Sequence, residues 1–398
     1  MLGIVSESIV EIGRGAFSGC RYLEKVVISE GVTSIGESAF WQCPSLTEIN
    51  IPNSVTSMGT DVFRECTALK SIHIPGSVTN ISDFLFFDCT ALESVSFGYG
   101  VERIGDEVFC DCESLQNVII PDSVTRIGNT VFADCKSLQS IIIPDSVQKV
   151  GYRTFKECTS LNTAYISSSV TEIGFDMFRG CAELTSVTIS DNVTSIGNNA
   201  FSSCHLLSSI IIPEGVKSIG SNAFYNCKFI ESIVLPNSLE TIDFSAFAFC
   251  PMLKNVYCYA GNTPSAKPNA FDGSNLERAV LHVPDSSIDS YKAASPWNKF
   301  SNIADEDNNK NISQGAQGTF DLNGRSLTGC GLPAPANTTT DEGRVVVDIT
   351  VNPSGEVIVA SINRRTNTVN PELRQAAINA AKQATFNKVN SKENQTGT

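Results

Sequence analysis

Charge, histidine and long apolar runs are all scarce in this sequence, and each shortage removes a class of function. Only 18% of the 398 residues are charged, and 42 acidic residues outnumber 28 basic ones, leaving a formal net charge of −14. Such a field repels phosphate backbones and anionic bilayers, so no nucleic-acid partner is expected. No apolar run is long enough to cross a bilayer, so direct membrane insertion of this chain is not expected either. The three histidines, His73, His205 and His282, stand far apart without companion motifs, which makes a nucleophile, base and acid hard to assemble. No C-x-x-C pair, P-loop, dinucleotide fingerprint, H-E-x-x-H helix or EF-hand loop occurs, so neither metal nor cofactor is expected. Asp305 and Asp307 lie in a polar stretch and read as solvating charge. No catalytic residue is expected, and the chain reads as a non-enzymatic protein.

Cysteine is abundant, with 14 in all. Eleven, from Cys20 and Cys43 through to Cys250, follow one another at intervals of 23 residues, and a phenylalanine stands three positions before each, from Phe17 to Phe247. Strict self-similarity at this period marks a leucine-rich-repeat solenoid, whose units bury their faces only by stacking. In the unit from Val32 to Pro52, Leu46, Ile49 and Ile51 have the alternation of a short strand, and Pro52 ends it. Val32 and Ile35 start the return side. The glycine after that isoleucine recurs in nine of eleven units, Ser82 and Asp243 being the departures, and suggests a corner with positive φ. Ser38 to Cys43 is expected to form one helical or 3₁₀ turn that points Phe40 and Cys43 inward, building an aromatic spine.

The array fades near Ala270 to Pro284, where Phe271 arrives one residue late and Ser274 stands near the missing cysteine. Tyr291, Trp297, Phe300 and Ile303 then have the spacing to cover the last open coil as a cap spanning 251–303. Together the motifs L-x-x-I-x-IP, VTSIG and AF-x-x-C, and the VPDSSIDSYKAASPWNKFSNI ending, resemble the BspA-like bacterial leucine-rich repeats, over residues 8 to 303. The resemblance implies a curved solenoid on a surface or secreted protein, and some members are adhesins for host or bacterial partners. Met1 to Val10 lacks the basic and apolar regions of a signal peptide, and the first repeat begins almost at Met1. The expectation is an extracytoplasmic protein whose leader is absent from this sequence.

A repeat array of residues 1–303 is expected to give way to a polar linker, 304–318, and a small α+β domain, 319–398. RVVVDITV (344–351) and EVIVASI (356–362) read as a hairpin joined by a type I turn, and Asn370 and Pro371 as the start of a helix running past Ala384. This segment resembles the C-terminal domain of TonB-type energy transducers. The N-terminal membrane helix and proline-rich spacer of that family have no counterpart, and the chain stops at Thr398, where the family's last strand should begin. A hairpin with an unpaired edge would instead serve as a docking module.

Two features remain. The cysteine ladder is expected to be buried reduced thiol, because side chains on stacked rungs point the same way and equivalent thiols cannot all pair. Reduced cysteine conflicts with an oxidising exterior, a conflict that an anaerobic habitat would remove. Cys258 falls at an inward strand position, and Cys330, between two glycines, reads as a loop cysteine. The outward strand position gives the series Ile119, Ile142, Tyr165, Thr188, Ile211, Val234 and Tyr257, a mostly apolar stripe roughly 29 Å long on the concave face, beside a column of serine, threonine and asparagine. Two readings account for it: a contact surface for a protein or glycan ligand, or the preference of β-branched and aromatic residues for sheet faces. The first makes the chain a binding protein, with the adhesin-like role that the resemblance implies. The rivals are an envelope energy-transduction or signalling component with the array as sensor, and a structural surface spacer. Trp41, Phe84 and Phe87 interrupt the polar return side and are expected to be partly buried.

Overall fold

The computed structural model describes residues 1–305 and, beyond them, the backbone of three strands, Val347–Val351, Val357–Ile362 and Gln395–Gly397. The chain divides into two compact units, Met1–Ala304 and Asp305–Thr398. The first is a parallel β-solenoid of about 13 turns. Most turns contribute one longer strand of three or four residues, such as Lys25–Ile28 or Ser71–Ile74, shortened to two at Glu48–Ile49 and Asn117–Val118, and one two-residue strand, such as Ser34–Ile35. Both columns stack parallel with a shift of one repeat, as in Lys25↔Glu48 and Ser34↔Ser57. The longer strands run in four ladder segments and the shorter in three.

The third side is not the expected helical turn. Two residues of each unit take left-handed backbone: Ser38 and Gln42 (both φ 56°), then Asp61 and Glu65, and so on to Ser245 and Phe249. Alternate amides donate to the next rung, Ser38 N to Thr60 O, Phe40 N to Val62 O and Gln42 N to Arg64 O, each at 2.9 Å. Those between close three-residue turns, as Trp41 N does to Ser38 O at 3.1 Å. The segment thus uses its amides half as a strand and half as a chain of turns, a division that a helix cannot offer to a neighbouring rung. Asp, Asn and Ser recur at the left-handed positions because they tolerate that region better than most side chains.

The glycine after the isoleucine is not at positive φ. A β-carbon at Gly36 would lie 2.6 Å from Arg14 N and 2.8 Å from the carbonyl carbon of Gly13. Glycine is therefore required by the close approach of stacked backbones.

Inside, the spine is continuous. Twelve phenylalanines from Phe17 to Phe271 stack ring on ring, with neighbouring centroids 5.1–5.6 Å apart. From Phe40 onward the rings are nearly sealed from solvent, and each such contact adds about 0.5–1.5 kcal/mol beyond burial. The cysteines do more than fill space. From Cys43 to Cys250, each thiol donates to the carbonyl of the phenylalanine 26 residues earlier, as Cys66 does to Phe40 at 3.2 Å and Cys135 to Phe109 at 3.2 Å. In the degenerate rung Ser274 takes over the role, its hydroxyl 2.6 Å from Phe247 O.

The cap forms as the spacing implies. Trp297 and Phe300 pack on Phe271 with centroids 5.6 and 5.5 Å away, and Tyr291 packs edge-on to Trp297. Their polar ends are satisfied, Tyr291 Oη donating to Ala260 O (2.8 Å) and Trp297 Nε1 to Pro264 O (3.0 Å).

In the second unit Val347–Val351 and Val357–Ile362 pair antiparallel, as the expected hairpin requires, and Gln395–Gly397 pairs antiparallel with the other edge of Val347–Val351. The first strand of the hairpin therefore has both edges occupied. Of the polar linker expected over 304–318, Ala304 and Asp305 belong to the strand Asn302–Asp305; the rest of it, the turn at 352–355, the helix from Asn370 and Cys330 lie outside the described residues.

Candidate functional site

The outward residues of the longer strands are the candidate binding surface. Ile142, Tyr165 and Thr188 sit side by side in register on one ladder segment, half-buried. Ile211, Val234 and Tyr257 do so on the next. Ile119 follows the strand Asn117–Val118 at the end of a third segment and is 56% exposed; Ile211 is 48% exposed. The flanking column, including Ser140, Thr163, Ser186 and Ser209, supplies hydroxyls along one edge. The Tyr165 hydroxyl reaches 3.5 Å from Asp145 Oδ1, which also accepts from Ser168 N at 2.9 Å.

The last two members of the series are not open. Val234 and Tyr257 are each only 6% exposed. Register places Tyr257 between Val234 and His282, and the His282 ring stacks on the Tyr257 ring at 4.4 Å with only 10° between planes. His282 Nε2 lies 3.2 Å from Asn255 Oδ1 on the neighbouring column. Burial lowers the pKa of His282 and raises that of Tyr257, so both are neutral at physiological pH. The stripe that solvent reaches runs from Ile119 to Ile211, closed at one end by an aromatic stack. His282 belongs to the same column, a place hidden in the sequence because its rung follows Tyr257 by 25 residues instead of 23.

No alternative chemistry gathers elsewhere among the described residues. His73 pairs with Ser96 Oγ at 2.9 Å in solvent, and His205 lies near Asn226 on another rung. No disulfide joins the 13 described cysteines to one another, and twelve of them are buried. Burial pushes Cys43 up to about 11 and Cys250 to about 12, so these thiols stay protonated and are poor nucleophiles and ligands. No group of three or more His, Cys, Asp or Glu among the described residues is placed to hold a metal. None of their helices is long and apolar enough to cross a membrane. Trp41, Phe84 and Phe87 are half-buried, with the Arg64 guanidinium over the Phe87 ring at 4.6 Å.

A family model described as the BspA type leucine rich repeat region matches residues 4–116, 79–207 and 171–295. Among solved structures, a leucine-rich cell surface protein from Faecalibacterium prausnitzii A2-165 is 28% identical, with 64% of this chain and 78% of that chain covered and a TM-score of 0.43. A leucine-rich repeat protein from Bacteroides ovatus ATCC 8483 is also 28% identical, with 65% and 86% covered and a TM-score of 0.42. The pneumococcal vaccine antigen PcpA is 15% identical, with 76% and 87% covered and a TM-score of 0.46. No curated protein matches.

Proposed function

The chain belongs to the BspA type of leucine-rich-repeat proteins, and from that premise we propose that it is an extracytoplasmic, non-enzymatic binding protein. Leucine-rich-repeat proteins are generally binding scaffolds, and BspA-type members are typically surface-exposed. The ligand, a protein or a glycan, lies along the outward face of the longer strands and meets Ile119, Ile142, Tyr165, Thr188 and Ile211. Val234 and Tyr257 hold the end of that face in shape. The observation that carries this reading is the exposure of Ile119 and Ile211, which leaves large apolar side chains on a sheet whose adjacent column is hydroxylated. Side chains of this kind, held rigidly and rimmed by hydrogen-bonding groups, are what a contact surface needs.

The test is binding of the full chain to arrays of extracellular-matrix proteins and host glycans, beside an Ile119→Ser/Ile142→Ser/Tyr165→Ser/Ile211→Ser variant. Saturable binding that the variant loses supports the reading. Binding that the variant keeps, or no binding at all, defeats it. The three-stranded antiparallel sheet of the second unit favours a second reading, in which a TonB-C-like module couples the array, as sensor, to an envelope signalling or energy-transduction system.

A further inference from the structure

Stacked rungs place residues 23 positions apart side by side, and across that step cations usually meet carboxylates. Lys25 reaches Glu48 at 2.6 Å, and Lys136 reaches Glu113 and Lys254 reaches Glu231 at 2.7 Å; four further pairs follow the same rule. Arg103, Arg126 and Lys149 break it by following one another, before Glu172 stands one repeat beyond Lys149. They hold the outward positions of the short strands Arg103–Ile104, Arg126–Ile127 and Lys149–Val150, all exposed and in direct register with one another. None of the three makes an ion pair or side-chain hydrogen bond with another described residue.

Like charges stacked at strand spacing, ~4.8 Å, destabilise a sheet. A row of three is therefore a cost to the empty protein, on a chain where seven other cations meet a carboxylate one repeat away; the other step of cation on cation, Lys156 to Arg179, is shorter by one cation, and there Arg179 pairs with Asp176. We propose that this row is a binding site for a linear glycan bearing carboxylate or sulfate groups. A straight row with one cation per rung suits a polymer whose anions recur along its length. The arginine fork takes two oxygens of a carboxylate or sulfate at once. Exposed Asn80, which heads the row in register with Arg103, and exposed Thr125 and Gln148 beside it offer amide and hydroxyl groups to sugar hydroxyls. Nucleic acid fits less well: the one charge per ~1.7 Å of axis in duplex DNA is far denser than one cation per ~4.8 Å rung, and Glu102 flanks the row while Glu172 follows Lys149 one repeat on. The site lies on the short-strand column, apart from the apolar stripe, so either can fail without the other.

The experiment measures binding of the full chain to immobilised heparin and polygalacturonate at about 0.1 M ionic strength, where surface charges still act over about 10 Å. The parent should bind saturably. Arg103→Ser/Arg126→Ser/Lys149→Ser should bind at least about tenfold more weakly, with the slope of log affinity against log salt reduced by about two to three. Its urea midpoint should equal or exceed that of the parent, since repulsion is relieved. Lys25→Ser/Lys254→Ser, which removes cations that already face carboxylates, and the apolar-stripe variant should both bind like the parent. The proposal is overturned if the parent binds neither polymer, if the triple variant binds as well as the parent, if the Lys25/Lys254 variant loses as much, or if a single-stranded DNA oligomer outcompetes heparin fragments of equal charge.

Discussion

Replacing Cys135 separates two explanations for the repeated cysteine. The side chain is fully buried in a central rung, and its thiol donates to Phe109 O at 3.2 Å. That carbonyl also accepts the Cys112 amide at 3.1 Å, so loss of the thiol leaves it with one bond. Cys135→Ala should therefore lose a modest hydrogen bond, ~0.5–1 kcal/mol, plus the sulfur's packing, ~1 kcal/mol, for a total of about 1.5–2 kcal/mol. Cys135→Ser keeps a donor where Ser274 shows one fits, and should cost less than about 1 kcal/mol. Cys135→Val keeps apolar character but loses the donor and adds a methyl to a closed site, costing about 2 kcal/mol or more. A thiol acting only as a small hydrophobe predicts the reverse order, because a buried hydroxyl without a partner is expensive. Urea unfolding at pH 7 under reducing conditions, followed by far-UV circular dichroism, reads the order directly. If serine costs more than alanine, or valine is neutral, the donor argument is wrong.

Alkaline pH should weaken the fold. Unfolded thiols ionise near their ordinary value of 9, whereas burial holds Cys43 at about 11 and Cys250 at about 12, so the unfolded chain releases protons first. Stability should be intact below pH about 9 and fall as pH rises toward 11–12, by up to ~1.4 kcal/mol per pH unit for each such thiol; a urea midpoint that stays constant from pH 8 to 10.5 would contradict this. Gly36→Ala should cost about 1–3 kcal/mol through the 2.6 Å approach to Arg14 N. Gly13→Ala, in the same column but with nothing within 4 Å of a β-carbon, should be neutral or stabilising by ~0.4–1 kcal/mol; equal thermal midpoints for the two would refute the close-approach account. Trp297→Ala should remove about 3–5 kcal/mol and uncover the Phe271 end of the spine, seen as a lower midpoint with new binding of a hydrophobic dye.

Much of the scaffold is legible because its interior repeats. A residue that must stack on its own copy, such as Phe40 on Phe17 and Phe63, writes its period into the sequence, and the cap residues stand out where that period fails. The turn side is harder, because inward positions three apart, such as Phe40 and Cys43, occur both in a 3₁₀ turn and in the left-handed chain of turns found here. What decides between them is the bonding of alternate amides to the next rung, which leaves no mark on the side-chain pattern. Gly36 is ambiguous for a related reason: positive φ and backbone crowding select the same residue, and only the neighbouring rung tells them apart.

The functional surfaces are less legible because the repeat leaves outward positions free to vary. Following one outward column finds the apolar stripe but counts Val234 and Tyr257 as open, since the 25-residue step that brings His282 over Tyr257 breaks the period used to align the column. Following only the longer strands overlooks Arg103, Arg126 and Lys149 altogether. In a fold where every side chain has its counterpart as a neighbour, a residue is informative when it is a poor neighbour to the next. Phenylalanine on phenylalanine stabilises the interior, and lysine on glutamate suits a solvated surface. Arginine on arginine stabilises nothing until something else arrives, and that asymmetry makes the short-strand row the feature of this surface that packing alone does not explain.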